Sequence, residues 1–206
     1  GVMYKKKPFL IVFEGVEGCG KSFQSKKLFK NLKNKKIPSI LTREPGGTKT
    51  AELIRNLILK DYFNKSGKDK FDKYTDTLLY LAARNEHVIN KILPALKKKE
   101  VVICDRFIDS TMAYQAYGKK VDFNLINNIH KVILKGLKPN IVFILKVSTN
   151  SSKKRLLKRR TKNRYDNFPQ SFYTKAQKSF LKIAKNKKNY FVMDSSKNDD
   201  NLEKKI

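Results

Sequence analysis

Cysteine, acidic residues and long apolar runs are scarce in this chain, and each scarcity excludes a class of protein. Two cysteines among 206 residues are too few for a disulfide framework or a zinc set, which favours the reducing cytoplasm. No apolar run approaches the roughly 18 residues of a membrane span, and the run at 9–13 is too short for a signal-peptide core. We therefore expect no membrane partner. We expect Met3 to be the natural start, with Gly1 and Val2 as a cloning remnant.

The charge is heavily one-sided, with 18 Asp plus Glu against 47 Lys plus Arg and a formal net charge of +29. The 13 Phe and 9 Tyr exclude a disordered polybasic tail. The 39 lysines are scattered along the chain, as a composition bias would leave them, so we expect no specific nucleic-acid partner. The eight arginines are better candidates for phosphate, because Arg offers a bidentate fork that Lys lacks. An ordinary surface position is the alternative for any one of them.

Strand and helix signals alternate along the chain. Five short apolar runs predict buried strands at 9–13, 38–42, 101–104, 141–145 and 190–193. Helical patterns fill the intervals, up to about 33, at 48–60, 74–98 with a bend at Pro94, from about 109, and at 124–135, 151–160 and 170–186. This alternation predicts a three-layer α/β domain with a mainly parallel sheet. With no internal repeat and no dividing linker, residues 1–206 are expected to form one domain.

Residues 15–22 match the Walker A pattern Gly-x-x-x-x-Gly-Lys-Ser between a predicted strand and a predicted helix. Glycines there let successive backbone N–H groups turn towards phosphate at the positive end of a helix. Lys21 can reach the β- and γ-phosphates, and the Ser22 hydroxyl can bind Mg²⁺. The motif predicts a nucleoside triphosphate with magnesium, a chance Gly-rich turn being the alternative. The phosphate-cradle residues are Gly15, Val16, Glu17, Gly18, Cys19, Gly20, Lys21 and Ser22.

The third predicted strand ends on Asp105 and Arg106. Asp105 stands where a Walker B carboxylate would hold magnesium. Motor and helicase ATPases commonly follow it with a glutamate that activates water, whereas Arg106 would attract a second anion beside the γ-phosphate. This pair favours transfer to an anionic acceptor, and a surface ion pair is the alternative. The chain has no Asn-Lys-x-Asp guanine-reading string, which argues against a GTPase.

Side chains spaced i, i+4 on two helices form a candidate site for a flat polar base. Tyr80 and Arg84 share one side of the long helix, where simple packing at the surface fits their spacing equally well. Thr111 with Gln115, and Ser110 with Tyr114, lie near the carboxyl end of the third strand, where open α/β sheets bind ligands. The buried face of the long helix is predicted to hold Leu78, Leu81, Ala82, Val88, Ile89, Ile92 and Leu96.

Together these motifs resemble the bacterial thymidylate kinase family. They are the segments 13–22, 42–48, 82–87 and 105–115, and they follow the family's order and roughly its spacing over nearly the whole chain. The resemblance implies a P-loop fold with a five-stranded parallel sheet wrapped by helices, usually as a homodimer. It also implies transfer of the γ-phosphoryl group of ATP to dTMP with magnesium, giving dTDP and ADP.

The resemblance implies a role for each matching residue around the acceptor phosphate and sugar. Arg55 and Arg106 hold the dTMP phosphate, and Arg106 lies between donor and acceptor. Glu17 contacts the deoxyribose 3′-hydroxyl, while Glu44 and Pro45 shape the acceptor pocket. The Walker residues keep their ATP and magnesium roles.

The base contacts that the resemblance implies come from two segments. Tyr80 stacks on thymine, where many members have Phe, and Arg84 reaches O4 of the base. Thr111 and Gln115 read the base edge. Tyr114 crowds the 2′ position and so favours deoxyribose.

A short basic lid of about residues 155–168 also matches the family. Some members carry a catalytic arginine in the P-loop directly after the acidic residue, where this chain has Gly18. The chain therefore resembles the group in which the lid supplies that charge. Arg164 is the first candidate for catalysis, with Arg159 and Arg160 next as ATP-binding residues.

Two rival functions remain open from the residues alone. One is another nucleoside or nucleotide kinase, such as a deoxynucleoside kinase, which would need a carboxylate base that only Glu17 could supply. The other is a basic nucleic-acid-binding protein. A phosphate monoester acceptor is already ionised near neutral pH and needs no base, so His87 and His130 are read as ordinary helix residues.

Overall fold

The computed structural model describes residues 7–62, 70–158, 169–196 and Ile206, and a five-stranded parallel sheet forms its centre. The strands are β1 (Phe9–Glu14), β2 (Ser39–Arg43), β3 (Val101–Asp105), β4 (Ile141–Lys146) and β5 (Tyr190–Asp194). They lie in the order β2-β3-β1-β4-β5, and every neighbouring pair is parallel. The five predicted strands are confirmed, each within one residue at its ends.

Helices follow each of the first four strands and return the chain to the start of the next. They are α1 (Lys21–Asn34), α2 (Lys49–Tyr62), α3 (Lys73–His87), α4 (Leu93–Lys97), α5 (Ile108–Thr111), α6 (Phe123–Ile133), α7 (Thr149–Leu157) and α8 (Gln170–Ala184). All residues from Leu10 to Glu14 are buried, and because successive side chains point to opposite faces, both faces of the sheet are covered at its centre. The predicted three-layer α/β fold is thus confirmed.

Two π-helical segments interrupt the helices that flank β3. Val88–Ile92 joins α3 to α4, and Met112–Gly118 continues α5. The first segment ends next to Pro94, which has no N–H to donate to the regular ladder. The Leu93 N–H donates instead to the Val88 carbonyl, five residues back, so the helix predicted over 74–98 continues with a local change of pitch.

The predicted buried face of this helix is wrong at three positions, because Leu78, Ala82 and Ile89 are exposed. The side that faces the protein carries Tyr80 and Arg84 together with other residues of mixed polarity. The periodicity of apolar residues therefore predicted the wrong buried side at these positions. The side of α3 that is buried is determined by the polar partners that the helix meets inside the protein. Among the described residues, no helix has the length and apolar character to cross a membrane.

Candidate active site

The Walker segment turns from β1 into α1 at the carboxyl edge of the sheet. Gly15 has φ 144°, and a Cβ there would lie 2.8 Å from the Leu145 carbonyl oxygen. Gly18 has φ 78°, and a Cβ there would lie 2.7 Å from the Ser152 carbonyl oxygen. Side chains are therefore excluded at both positions. The first turn of α1 contains no acidic residue, which leaves its positive end available to an anion.

Three backbone carbonyls of the Walker segment accept hydrogen bonds from side chains far along the chain. The Ser152 hydroxyl donates to the Glu17 carbonyl at 2.9 Å, and the Ser195 hydroxyl donates to the Cys19 carbonyl at 2.6 Å. Arg155 donates to the Gly18 carbonyl at 3.2 Å and to the Ser195 carbonyl. The segment is thereby tied to α7 and to the end of β5.

The predicted phosphate and metal residues meet where β3 ends beside α1. Lys21 Nζ lies 3.9 Å from Asp105 Oδ1, with the lysine buried and the aspartate partly exposed. Ser22 and Asp105 line a shared cavity of about 670 Å³, which extends past Lys26 and Lys91. A hydroxyl and a carboxylate are oxygen ligands of the kind that Mg²⁺ takes, so this donor set fits the predicted metal.

Arg106 and Glu17 form a buried ion pair. Arg106 has φ 74°, and its N–H donates to the Phe13 carbonyl at 2.9 Å, which fixes the turn after β3. Its Nη2 donates to Glu17 Oε1 and its Nη1 donates to Ser110 Oγ at 2.8 Å. The guanidinium carbon lies 5.3 Å from the centre of the Tyr114 ring. These contacts hold the guanidinium next to the Walker segment.

Sequence reasoning missed Glu14, which is fully buried beneath Arg106. Its carboxylate accepts from the Phe107 N–H and, at 2.9 Å, from Ser110 Oγ. Burial and the nearby charge of Asp109 raise the pKa of Glu14 to about 8. Burial also raises the pKa of Asp109, which accepts a hydrogen bond from the Tyr190 hydroxyl. The only signal in the sequence was a charged residue at the end of the first apolar run.

One narrow cavity brings together most of the predicted substrate residues. Its lining contains Ser110 and eight predicted residues, which are Glu44, Pro45, Tyr80, Arg84, Arg106, Thr111, Tyr114 and Gln115. The free space is about 10 Å³, enough for about one water. The predicted Arg55 lies outside this lining, and its Nη1 donates to the Pro45 carbonyl at 2.9 Å.

Arg84 is the centre of a hydrogen-bond network on the floor of this cavity. It is 3% exposed, and its Nε donates to Glu44 Oε1 at 2.7 Å. Its Nη1 lies 2.9 Å from both Thr111 Oγ1 and His130 Nε2. Its Nη2 donates to the Phe107 carbonyl at 3.0 Å. The predicted pair of Tyr80 and Arg84 is therefore not a surface pair, because both side chains line the cavity.

Glu44 connects this network to a second histidine. Its Oε2 accepts from His87 Nδ1 at 2.7 Å, and His87 Nε2 lies 2.7 Å from Thr42 Oγ1. Burial alone would raise the pKa of Glu44, but Arg84 and His87 hold it below its usual range. Cys104 Sγ lies within 4.8 Å of ligand atoms of this pair. Because both oxygens of Glu44 and both ring nitrogens of His87 are already hydrogen-bonded, the cluster offers no open position to an ion.

His87 and His130 lie on α3 and α6, as expected of helix residues, and the structure adds that both bond into the network. His87 could have been found from its i, i+3 spacing to Arg84, which places both on one face of α3. His130 lies on α6, 46 residues from Arg84, and no local pattern marks it. Of the predicted lid, Arg159, Arg160 and Arg164 lie outside the described residues.

Comparison with known proteins links this geometry to a single family. Residues 13–206 match the family model described as thymidylate kinase. A thymidylate kinase from Wolbachia sp. subsp. Brugia malayi (strain TRS) is 44% identical over 179 residues, which cover 85% of this chain and 81% of the relative. One from Rickettsia typhi is 38% identical over 174 residues, covering 84% of this chain and 82% of the relative. The crystal structure of thymidylate kinase from Ehrlichia chaffeensis is similar with a TM-score of 0.73 and 34% identity, covering 96% of this chain and 94% of that one.

Proposed function

The chain belongs to the thymidylate kinase family, and from this premise we propose that it transfers the γ-phosphoryl group of ATP to dTMP, giving dTDP and ADP. The observation that carries the proposal is the cavity in which eight predicted substrate residues meet. Arg106 belongs to this cavity and also bonds Glu17 of the Walker segment. One guanidinium thus lies between the acceptor pocket and the donor segment.

The chemistry requires cations rather than a base. The dTMP phosphate is already ionised near neutral pH, since its second pKa is about 6, so no hydroxyl has to be deprotonated. The difficulty is to bring two anions together and to stabilise charge on the transferring group. Lys21 serves the β- and γ-phosphates of ATP, and Arg106, with Arg55 beside it, binds the acceptor phosphate.

The thymidine half is bound by the remaining residues of the cavity. Tyr80 stacks on the base, Arg84 donates to its O4, and Thr111 reads the base edge. Gln115 reads the same edge, and in support of this role its side chain is 2% exposed and lines the cavity. Tyr114 crowds the 2′ position.

Glu17, Glu44 and Pro45 complete the acceptor site. Glu17 accepts from the 3′-hydroxyl while it keeps Arg106 in place. Glu44 and the cis Glu44–Pro45 peptide shape the pocket wall, and the Pro45 carbonyl accepts from Arg55.

We propose that Ser22 and Asp105 hold Mg²⁺. Bound there, the ion would neutralise charge that develops on the transferring phosphoryl group. The two residues share a cavity beside Lys21, and their oxygen atoms are the ligands that this ion takes.

We propose that the lid, residues 155–168, supplies a catalytic positive charge. Arg164 is the first candidate for this role, and Arg159 and Arg160 are the candidates for binding ATP. Support comes from Gly18, which stands at the position where some members of the family carry their catalytic arginine. Its φ of 78° and the 2.7 Å distance from a Cβ to Ser152 O leave no room for a side chain at this position, which agrees with a charge supplied by another segment.

We propose that the protein is a homodimer joined through α2 and α3. These helices pack on each other, and each carries exposed apolar residues spaced i, i+4, namely Leu53 and Leu57 on α2 and Leu78 and Ala82 on α3. Light scattering after gel filtration should give twice the chain mass, and a Leu57→Lys, Leu78→Lys variant should give the chain mass. A monomeric wild type would refute this assembly.

Residues 1–206 are proposed to form one domain located in the cytoplasm. All five described strands belong to one sheet, which supports a single domain. Both cysteines are buried and free, as a reducing compartment allows.

A coupled ADP-release assay with dTMP, thymidine, dUMP and dCMP tests the function. With ATP and Mg²⁺, dTMP should give turnover and thymidine should give none, because thymidine brings no ionised phosphate to Arg106. Turnover of thymidine without dTMP would identify a deoxynucleoside kinase with Glu17 as its base and overturn the proposal.

A further inference from the structure

Nearly all the hydrogen-bond donors of Arg84 are already committed to protein acceptors. A guanidinium has five N–H bonds. Glu44 takes the Nε hydrogen, Thr111 and His130 take those of Nη1, and the Phe107 carbonyl takes one of Nη2. One N–H of Nη2 remains without a partner among the described residues. Base recognition by Arg84 therefore depends on where that single N–H points.

His130 contributes an acceptor from outside every recognised motif. It is 6% exposed, and its Nε2 lies 2.9 Å from Arg84 Nη1. Because a guanidinium can only donate, Nε2 must be the unprotonated nitrogen of a neutral ring. Burial and the charge of Arg84 lower the pKa of His130 to about 3, so the ring remains neutral throughout the physiological range.

We propose that His130 is a positioning residue for base recognition, which holds the Arg84 guanidinium so that its remaining N–H meets the 4-oxo group of the pyrimidine. The inference rests on the proposed function. Glu44 accepts from Nε and Thr111 from Nη1, and His130 takes the second Nη1 hydrogen. Without the His130 acceptor, one buried N–H of Arg84 Nη1 is left unsatisfied. The plane of the guanidinium then turns towards its remaining partners.

The effect should fall on base recognition rather than on phosphoryl transfer. Arg106 is held by a separate set of partners, Glu17 and Ser110. Loss of the His130 acceptor should therefore raise KM for dTMP and weaken discrimination at C4 of the base, while kcat changes little. A general loss of structure would instead lower kcat as well and would affect every pyrimidine alike.

Two substitutions at one position separate hydrogen bonding from packing. His130→Leu removes the acceptor with a side chain of similar bulk, and His130→Gln keeps an acceptor oxygen. The substrates are dTMP and 5-methyl-dCMP, which share the methyl group and differ at the 4-position and in N3 protonation. We expect His130→Leu to raise KM for dTMP about fivefold to tenfold and to lower the dTMP preference by a similar factor. His130→Gln should restore most of both.

The proposal is overturned if His130→Leu leaves KM and the preference unchanged, or if Gln behaves like Leu. A nitrogen NMR spectrum of the wild type gives a second test that needs no variant, and the chain has only two histidines to assign. Unprotonated Nε2 on His130 at pH 7 is expected, and a protonated Nε2 would refute the contact. Turnover of dTMP by the wild type in the same assay tests the proposed function separately.

Discussion

The two ends of the site differ in how their charges are paired. At the end that we propose reads the base, called here the base-reading end, Glu44 and Arg84 are 2.7 Å apart and both are buried, with His87 and His130 completing their hydrogen bonds. At the phosphate end, Lys21 and Asp105 are 3.9 Å apart and Asp105 is partly exposed. The comparison indicates that the Glu44–Arg84 network is built during folding. At the phosphate end the buried Arg106–Glu17 pair is also preformed, whereas Lys21 and Asp105 are loosely paired, so the substrates we propose can re-pair them.

Removal of the carboxylate at the base-reading end should produce the largest change in stability. Glu44→Gln leaves the buried Arg84 charge uncompensated, which costs about 3 to 5 kcal/mol. Urea unfolding should show this loss beside Glu52→Gln, whose partly exposed pair with Arg43 is worth at most about 1 kcal/mol. Equal losses in the two variants would mean that the network is not built as described.

Removal of cations at the phosphate end should instead affect turnover. Lys21→Ala and Arg106→Ala should each lower kcat by about 10² or more. We expect Lys21→Ala to unfold at nearly the wild-type urea concentration, since among the described residues the one carboxylate within 4 Å of Lys21 Nζ is that of Asp105, at 3.9 Å. Lys30→Ala, exposed on the same helix, is the matched control and should keep wild-type kcat. Near-normal turnover by either variant would remove that residue from the mechanism.

Glu14 gives a smaller, pH-dependent test of the phosphate end. Its pKa rises from 4.5 to about 8 on folding, so the folded state keeps a proton that the unfolded state releases. Stability should therefore fall as pH rises from about 4.5 to about 8. The pKa of His130 is lowered on folding, so this group makes stability rise with pH in the acidic range. The contribution of Glu14 is therefore measured by comparing a Glu14 variant with the wild type.

Glu14→Gln cannot lose the proton, so its free energy of unfolding should improve relative to the wild type between pH 6 and pH 8.5. Urea unfolding of both proteins at the two pH values measures this difference. A difference independent of pH would show that Glu14 is ionised in the folded protein, and the phosphate end would then hold more paired charge than we infer.

The smallest expected effect is on binding to nucleic acid. Most of the +29 charge lies outside the site, so attraction to a polyanion should depend on counterion release. A filter-binding titration should show binding that is lost by about 200 mM salt. Tight binding above that concentration would favour the nucleic-acid-binding alternative.

Local spacing predicted the strands and placed Tyr80 with Arg84, and Thr111 with Gln115, on shared helix faces, whereas Glu44 and Pro45 of the cavity lining were implied only by the family resemblance. A Walker motif needs a strand before it and a helix after it, and i, i+4 pairs share a helix face whatever the fold. Partners contributed by distant segments were missed, as His130 and Glu14 show. Their roles follow from packing of α6 on α3 and of β1 beneath Arg106, and neither arrangement has a local signature.

The exposure of Leu78, Ala82 and Ile89 shows that apolar periodicity alone does not identify the buried side of a helix. An apolar stripe normally marks the side of a helix that faces the core. On α3 the inner side carries Arg84 and His87, because the Arg84 charge and the His87 ring nitrogens are satisfied there by Glu44 and Thr42. A sequence without its tertiary partners cannot show that a polar side is the buried one.

The carbonyl contacts behind the Walker segment have a consequence for the nucleotide side. In a planar trans peptide, the carbonyl and the following N–H point in opposite directions. Ser152 and Ser195 hold the carbonyls of Glu17 and Cys19, so the N–H groups of Gly18 and Gly20 face the other way. Two hydroxyls more than 130 residues downstream thereby set the direction of amide dipoles at the other end of the chain, before any anion arrives.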